Sequence, residues 1–122
     1  MSRGVRIYHN PRCSKSRAAL ALIREAGIEP EVVRYLETPP TTAELKRLLK
    51  ALGVGPQAVV RKGEALYREL GLNQPGVTDA ALIAAMVEHP ILIERPIVVT
   101  PTGARLCRPP EIVAELLAQV SG

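Results

Sequence analysis

The hydrophobic residues of this chain fall into short β-branched runs and longer segments with helical spacing. A run at residues 5–8 predicts a strand, and the Ala- and Leu-rich segment at 14–26 predicts a helix that Gly27 ends. A second strand is predicted at 31–36, with Tyr35 in its body. Because short loops connect these three elements, we expect the two strands to pair in parallel.

A mostly helical segment follows the second strand. Thr41, with Glu44 three residues later, forms a capping box, so a helix is predicted after it. Thr78 is expected to cap another helix. Two shorter helical stretches are predicted between them, at 56–61 and 64–70. Together these helices make up a predicted insert at about residues 41–89.

The C-terminal part of the chain returns to strands. Strands are predicted at 97–100 and 104–108 on either side of a tight turn, and Pro109 and Pro110 begin a last helix. The resulting order is β-α-β, a helical insert and then β-β-α, which is the pattern of the α/β thioredoxin and glutaredoxin fold. At 122 residues the chain is expected to form a single domain, residues 1–122.

Composition and charge narrow the range of partners. Hydrophobic residues make up 47% of the chain, but it has no Phe and no Trp, so Ala, Leu, Val and Ile must fill the core. The net charge of +4 favours anionic partners. The basic residues are scattered, however, without interleaved aromatic residues, so nucleic-acid binding is not expected. Neither a signal peptide nor a membrane-spanning run is predicted, and we expect a cytoplasmic monomer.

The two cysteines, Cys13 and Cys107, lie far apart in the sequence. In a cytoplasmic protein, free thiols are the expected state. Cys107 lies within the last predicted strand and is expected to pack in the core. His9 and His89 are the two histidines, and the sequence contains no C-x-x-C pair, so no metal site is predicted. His89, at a predicted helix end, is expected to be structural.

The most reactive position in the sequence is predicted to be Cys13. It lies where the first strand passes into the first helix, and helix N-termini carry unpaired N–H groups and a partial positive charge. Arg12, Lys15 and Arg17 add positive charge around it. A thiol in this setting is biased toward thiolate, and the same setting favours a bound anion. The alternative is that Cys13 is a small buried hydrophobic residue.

Two neighbours of Cys13 are candidates to assist it. Ser16 stands where a dithiol enzyme would have its second cysteine, so the motif C-x-x-S indicates a monothiol. Its hydroxyl is interpreted either as a donor to the thiolate or as a cap for a helix N–H. His9, four residues before the cysteine, would lower the pKa of the thiol if it were protonated. Otherwise it is a half-exposed structural histidine.

Three arginines are candidates for an oxyanion site, because the guanidinium offers a forked set of donors. They are Arg61, Arg95 and Arg108. In a thioredoxin-type fold the residue before the strand-three proline lies beside the reactive thiol, and that proline is usually cis. The Arg95-Pro96 step is therefore a candidate cis peptide bond. A cysteine phosphatase loop, C-x5-R, would need arginine where this chain has Ala19, so that class is disfavoured.

Several motifs together resemble one protein family. They read Tyr-His-Asn-Pro-x-Cys at 8–13, Tyr-Leu-Glu-Thr-Pro-Pro at 35–40, Arg-Lys at 61–62, His-Pro-Ile-Leu-Ile-x-Arg-Pro-Ile-Val-Val-Thr-Pro at 89–101 and Leu-Cys-Arg-Pro at 106–109. Over nearly its whole length the chain resembles the glutaredoxin-dependent arsenate reductases of the ArsC family.

The resemblance implies a reaction and a role for each candidate. Cys13 matches the nucleophile that attacks arsenate, with glutathione as co-substrate, glutaredoxin as the final reductant and no bound cofactor. Arg61, Arg95 and Arg108 match the oxyanion-binding arginines. His9 matches a histidine that helps to ionise the thiol.

The remaining matches concern the residues around the nucleophile and the second cysteine. Ser16 matches a serine that hydrogen-bonds the thiol, and Cys107 matches a cysteine that the reaction does not require. The stretch from Ser14 to Ser16 looks more like a chromosomal branch of the family. There Lys15 is expected either to help hold an anion or to be solvated.

Two other classes of function stay open at this point. The first is a regulator that resembles the Spx proteins, which share the fold and bind RNA polymerase. Those proteins typically sense redox state through C-x-x-C, which Ser16 removes here. The second is a generic monothiol oxidoreductase that acts on glutathione adducts, and it would not need three arginines.

Overall fold

A computed structural model describes residues 3–120, with side chains as far as residue 118. The strands are β1 (Arg6–Tyr8), β2 (Glu31–Val33), β3 (Ile97–Thr100) and β4 (Gly103–Leu106). The helices are α1 (Ser14–Glu25), α2 (Thr42–Leu52), α3 (Ala65–Glu69), α4 (Asp79–Glu88) and α5 (Val113–Val120). Three single 3₁₀ turns lie at Pro56–Ala58, Pro90–Leu92 and Pro110–Ile112. Among the helices of the described region, none has both the length and the apolar character that crossing a membrane requires.

The four strands form one mixed sheet in the order β2-β1-β3-β4. β1 pairs with β2 in parallel, as predicted, and β1–β3 and β3–β4 are antiparallel. Ile7 lies opposite Val32 on one side and Val98 on the other, which places β-branched residues along the middle of the sheet. The α/β fold class predicted from the sequence is confirmed.

The chain divides into two compact units, residues 3–38 with 95–120, and residues 39–94. The first unit contains the sheet, α1 and α5. The second contains the helices predicted for the insert. That the whole chain forms a single domain stays a prediction.

The core of the first unit lies where α1 and α5 pack against the sheet. On α1 the buried residues recur with helical spacing, at Ala19, Leu20 and Ile23. Gly27, with φ +82°, follows the helix in the left-handed region that glycine tolerates best. The shared core also includes Val5, Ile7, Ile28, Val98, Cys107, Val113, Leu116 and Leu117.

The second unit is built on two capped helices that pack together, α2 and α4. Thr41 Oγ1 accepts from Glu44 N at 3.1 Å, and Thr78 Oγ1 accepts from Ala81 N at 3.1 Å, so both predicted caps are confirmed. Gly53, with φ +72°, ends α2. The buried faces carry Leu45, Leu48, Leu49, Leu82, Ile83 and Met86.

Two predicted strands are longer than the strands observed. β2 ends at Val33, because the chain then turns back on Arg34, whose carbonyl accepts from Thr38 N at 2.9 Å. Tyr35 is therefore buried in a turn and not in the strand. β4 ends at Leu106, because the chain then turns, with Arg108 N donating to the Leu106 carbonyl at 3.1 Å.

Candidate active site

Cys13 immediately precedes α1. Its backbone is extended, with φ −94° and ψ 122°, and its carbonyl accepts a hydrogen bond from Arg17 N at 3.0 Å. Asn10 shapes the preceding turn, because its side chain accepts from Arg12 N at 3.0 Å and its carbonyl accepts from Cys13 N at 3.0 Å. The thiol therefore lies at a helix N-terminus, where the sequence predicted it.

Opposing influences act on ionisation of the Cys13 sulfur. Burial, the largest of them, disfavours the thiolate, since the residue is 9% exposed. The N–H groups of Ser16 and Lys15 donate to the sulfur, and the Arg95 guanidinium acts through both its charge and a hydrogen bond. Together these groups hold the pKa of Cys13 below its ordinary value. The Cys13 thiol therefore ionises more readily than an ordinary cysteine thiol.

The Ser16 hydroxyl is engaged away from the sulfur. Its Oγ lies 2.7 Å from His9 Nδ1 and accepts a hydrogen bond from Asn10 N at 3.0 Å. Since a backbone N–H can only donate, the Ser16 O–H remains available to donate to Nδ1. The structure therefore places the backbone N–H of Ser16 at the sulfur, where one interpretation of the sequence had placed its hydroxyl.

His9 is buried directly after β1, with 6% of its surface exposed. Burial first, and then the positive charges of Arg34, Arg24 and Arg17, lower the pKa of His9 below its ordinary value. The neutral form of the imidazole is favoured, and in that form Nδ1 can accept a hydrogen bond from the Ser16 hydroxyl. This environment does not favour the interpretation in which a protonated His9 lowers the pKa of the thiol, and a catalytic role for His9 stays a prediction. In the structure its contact is with the first turn of α1, which it helps to position.

Replacing Ser16 with alanine is expected to lower the free energy of unfolding by about 1–3 kcal/mol, because it leaves the buried Nδ1 of His9 without its partner. The pKa of Cys13 should change little, because the backbone N–H is kept. Denaturant unfolding measures the first quantity, and the ultraviolet absorbance of the thiolate against pH measures the second. Ser14→Ala, at an exposed position in the same turn, is the matched control. A large rise in the pKa of Cys13 in Ser16→Ala would show that the hydroxyl acts on the sulfur.

Arg95 reaches the thiol from the segment just before β3. The Arg95-Pro96 peptide bond is cis, as the sequence predicted. Cys107 N donates to the Pro96 carbonyl at 2.9 Å, so the segment after β4 is hydrogen-bonded to the segment that contains the cis bond. The Arg95 guanidinium acts on the Cys13 sulfur through its charge and a hydrogen bond.

The other two arginines lie in different surroundings. Arg108 is half-buried beyond the end of β4, and its peptide bond to Pro109 is also cis, which the sequence analysis did not anticipate. The sequence signal for this cis bond was the Arg108-Pro109 step itself, because cis peptide bonds occur almost only before proline. Arg61 belongs to the second unit, where two glutamates form ion pairs with it. For both residues, oxyanion binding stays a prediction.

Cys107 is fully buried in the core of the first unit, as predicted. Burial raises the pKa of Cys107 to about 12, so the residue stays a neutral thiol near neutral pH. Both cysteines are free. Within residues 3–120, His, Cys, Asp and Glu side chains form no group of three or more that could hold a metal ion.

A mixed sheet, a thiol at the N-terminus of the first helix and a cis-proline segment beside that thiol define a thioredoxin-like protein with one reactive cysteine. Ser16, where a dithiol enzyme has its second cysteine, narrows the class to monothiol proteins.

Comparison with known proteins identifies the family. A sequence model of the ArsC family matches residues 8–116, and the chain belongs to that family. The arsenate reductase of Escherichia coli K12 is 53% identical over 113 residues, which cover 93% of this chain and 80% of that protein. The uncharacterized protein YfgD of the same organism is 53% identical over 118 residues, covering 96% of this chain and 99% of that protein.

A solved structure agrees with the fold. The arsenate reductase from Vibrio cholerae superposes with a TM-score of 0.88 at 56% sequence identity, covering 91% of this chain and 95% of that chain.

Proposed function

We propose that this protein is an arsenate reductase in which Cys13 is the nucleophile and glutathione and glutaredoxin supply the electrons. The observation that carries the proposal is the convergence of two backbone N–H groups and the Arg95 guanidinium on the Cys13 sulfur. Donors that stabilise a thiolate are also suited to the oxygens of an oxyanion that the thiolate attacks. Family membership and the 53% identity to an arsenate reductase support the choice of arsenate.

In the first step the Cys13 thiolate attacks the arsenic atom. A sulfur–arsenic bond forms, one arsenic–oxygen bond breaks, and the leaving oxygen takes up protons and departs as water. Arg95 is already at the sulfur, so it is positioned to neutralise charge on the remaining arsenate oxygens. We assign Arg61 and Arg108 the same task, because they match the arginines of the family motifs.

The electrons arrive in the later steps. Glutathione replaces a second arsenic-bound oxygen and forms its own sulfur–arsenic bond, with loss of another water. A glutaredoxin thiolate then attacks the glutathione sulfur, a disulfide forms, and the electron pair of the broken sulfur–arsenic bond reduces As(V) to As(III). Hydrolysis of the bond to Cys13 releases arsenite and restores the thiol.

External thiols are needed because the chain offers no second reactive thiol near Cys13. Ser16 cannot form a disulfide, and its hydroxyl is bonded to His9. Cys107 is fully buried and has a pKa of about 12. The cytoplasm, where glutathione keeps thiols reduced, is the compartment that suits this chemistry.

The proposal is tested with purified protein, glutathione, glutaredoxin, glutathione reductase and NADPH. We expect NADPH to be consumed when arsenate is added and to be stable when arsenate is left out or replaced by phosphate. A folded protein that gives no arsenate-dependent consumption would contradict the proposal.

The same assay distinguishes an arsenate reductase from the two other classes of function, the generic monothiol oxidoreductase and the regulator that resembles the Spx proteins. A generic monothiol oxidoreductase would consume NADPH with a glutathione mixed disulfide in the absence of arsenate. A regulator of the Spx type would show neither activity and would instead bind purified RNA polymerase.

A further inference from the structure

We infer that Asn10 is a positioning residue for the proposed reaction, because its side chain fixes the turn that presents the Cys13 sulfur to its hydrogen-bond donors. The inference deepens the proposed function and rests on it, since it takes Cys13 to be the nucleophile. Asn10 acts through the placement of the sulfur and not by contact with arsenate.

Residues 10–13 form a β-turn. The Asn10 carbonyl accepts from Cys13 N at 3.0 Å, and neither Pro11 nor Arg12 has a positive φ, as in a type I turn. Type I turns favour Asn at the first position and Pro at the second, which is the sequence found here. The Asn10 side chain adds a further bond, because its Oδ1 accepts from Arg12 N at 3.0 Å. That bond fixes the peptide just before Cys13 and so the direction in which the turn leads into the cysteine.

Cys13 is held between this turn and the first helix. Its N–H donates to the Asn10 carbonyl, and its own carbonyl accepts from Arg17 N at 3.0 Å. The second bond belongs to the regular pattern of α1, whereas the first depends on the shape of the turn. A change in the turn therefore moves Cys13 relative to the helix whose N–H groups its sulfur faces.

The position of the sulfur decides how readily it ionises. Burial opposes the thiolate, two backbone N–H groups and the Arg95 guanidinium favour it, and together these effects lower the pKa of Cys13. Hydrogen bonds weaken steeply as their distances and angles leave the best values. A sulfur that the turn no longer holds in place should therefore lose this stabilisation, and its pKa should rise toward the ordinary value of a cysteine.

Arg17 supplies a second restraint on the same turn. Its Nη1 donates to the Pro11 carbonyl at 2.8 Å. Removal of the Asn10 side chain should therefore loosen the turn without releasing it. Because one hydrogen bond is lost, we expect the rate to fall about tenfold and not to disappear.

The test compares Asn10→Ala with Asn10→Ser, two variants that differ by one oxygen atom. Asn10→Ala removes the acceptor for Arg12 N, so the pKa of Cys13, measured by thiolate absorbance against pH, should rise. Near neutral pH, kcat/KM for arsenate should fall about tenfold, and its pH profile should shift toward higher pH. A serine hydroxyl can accept from the same N–H, so Asn10→Ser should recover most of both properties.

The controls isolate the side-chain oxygen. The backbone groups of Asn10, which bond Cys13 N and Ser16 Oγ, are present in every variant. Asn73→Ala, in an exposed turn of the second unit, should change neither the pKa of Cys13 nor kcat/KM. Denaturant unfolding establishes that each variant is folded.

Two results would overturn the inference. They are a pKa of Cys13 in Asn10→Ala that equals the wild-type value, and a serine variant that behaves like the alanine variant. Thiolate absorbance needs no arsenate. A protein in which these pKa values change as expected, but which does not reduce arsenate, would therefore count against the proposed function alone.

Discussion

Cys13→Ser is expected to lower arsenate-dependent turnover by about ten-thousandfold or more, because the hydroxyl that replaces the thiol is a far weaker nucleophile near neutral pH. The groups that favour the thiolate, the N–H groups of Lys15 and Ser16 and the guanidinium of Arg95, remain in place in this variant. The loss can therefore be attributed to the sulfur itself. The measurement is the glutaredoxin-coupled consumption of NADPH with arsenate as the varied substrate.

Cys107→Ala provides the matched control for loss of a thiol. Cys107 is buried in the core and its pKa is about 12, so its removal should leave turnover within about twofold of the wild type once folding is confirmed. Activity that survived in Cys13→Ser and disappeared in folded Cys107→Ala would reverse the assignment of the nucleophile.

Arg95→Gln is expected to raise the pKa of Cys13 and to lower kcat/KM for arsenate by about a hundredfold. The sign follows from the balance at the sulfur, where burial opposes the thiolate and Arg95 favours it through charge and a hydrogen bond. Without the guanidinium, less thiolate is present at a given pH. The pH dependence of kcat/KM should therefore shift toward higher pH.

Two measurements check this prediction. Thiolate absorbance against pH gives the pKa of Cys13 directly, and the rate of alkylation by iodoacetamide follows the same ionisation. Arg105→Gln removes an equal charge from an exposed position on β4 and should leave both curves in place. A pKa of Cys13 that stayed constant or fell in Arg95→Gln would be incompatible with the role given to Arg95.

The features that the sequence predicted well are those set by local chemistry. Thr41 and Thr78 cap their helices, because a cap depends on residues three positions apart. Cys13 lies at a helix N-terminus for a similar reason, since the Asn10 turn and the helical segment are adjacent in the chain. The cis bond before Pro96 followed from the expected fold.

The features that the sequence could not supply depend on distant parts of the chain. The direction of the Ser16 hydroxyl is decided by His9, which lies seven residues earlier, directly after β1. The short β2 reflects the turn at Arg34 and a partner strand of only three residues. Glu94 approaches Arg61 through a bridge between segments more than thirty positions apart, for which no local pattern exists.

Because the two thiols differ in burial and ionisation, labelling them can measure how often the core of the first unit opens. The chain has no Trp, so unfolding cannot be followed by indole fluorescence. Cys107 is fully buried in the core of the first unit and becomes accessible to a thiol reagent only when that core opens. Cys13, the proposed nucleophile, is expected to react in the native state and so to supply an internal standard. The fraction of protein molecules labelled at both cysteines thus measures opening of the core between the sheet and the helices α1 and α5.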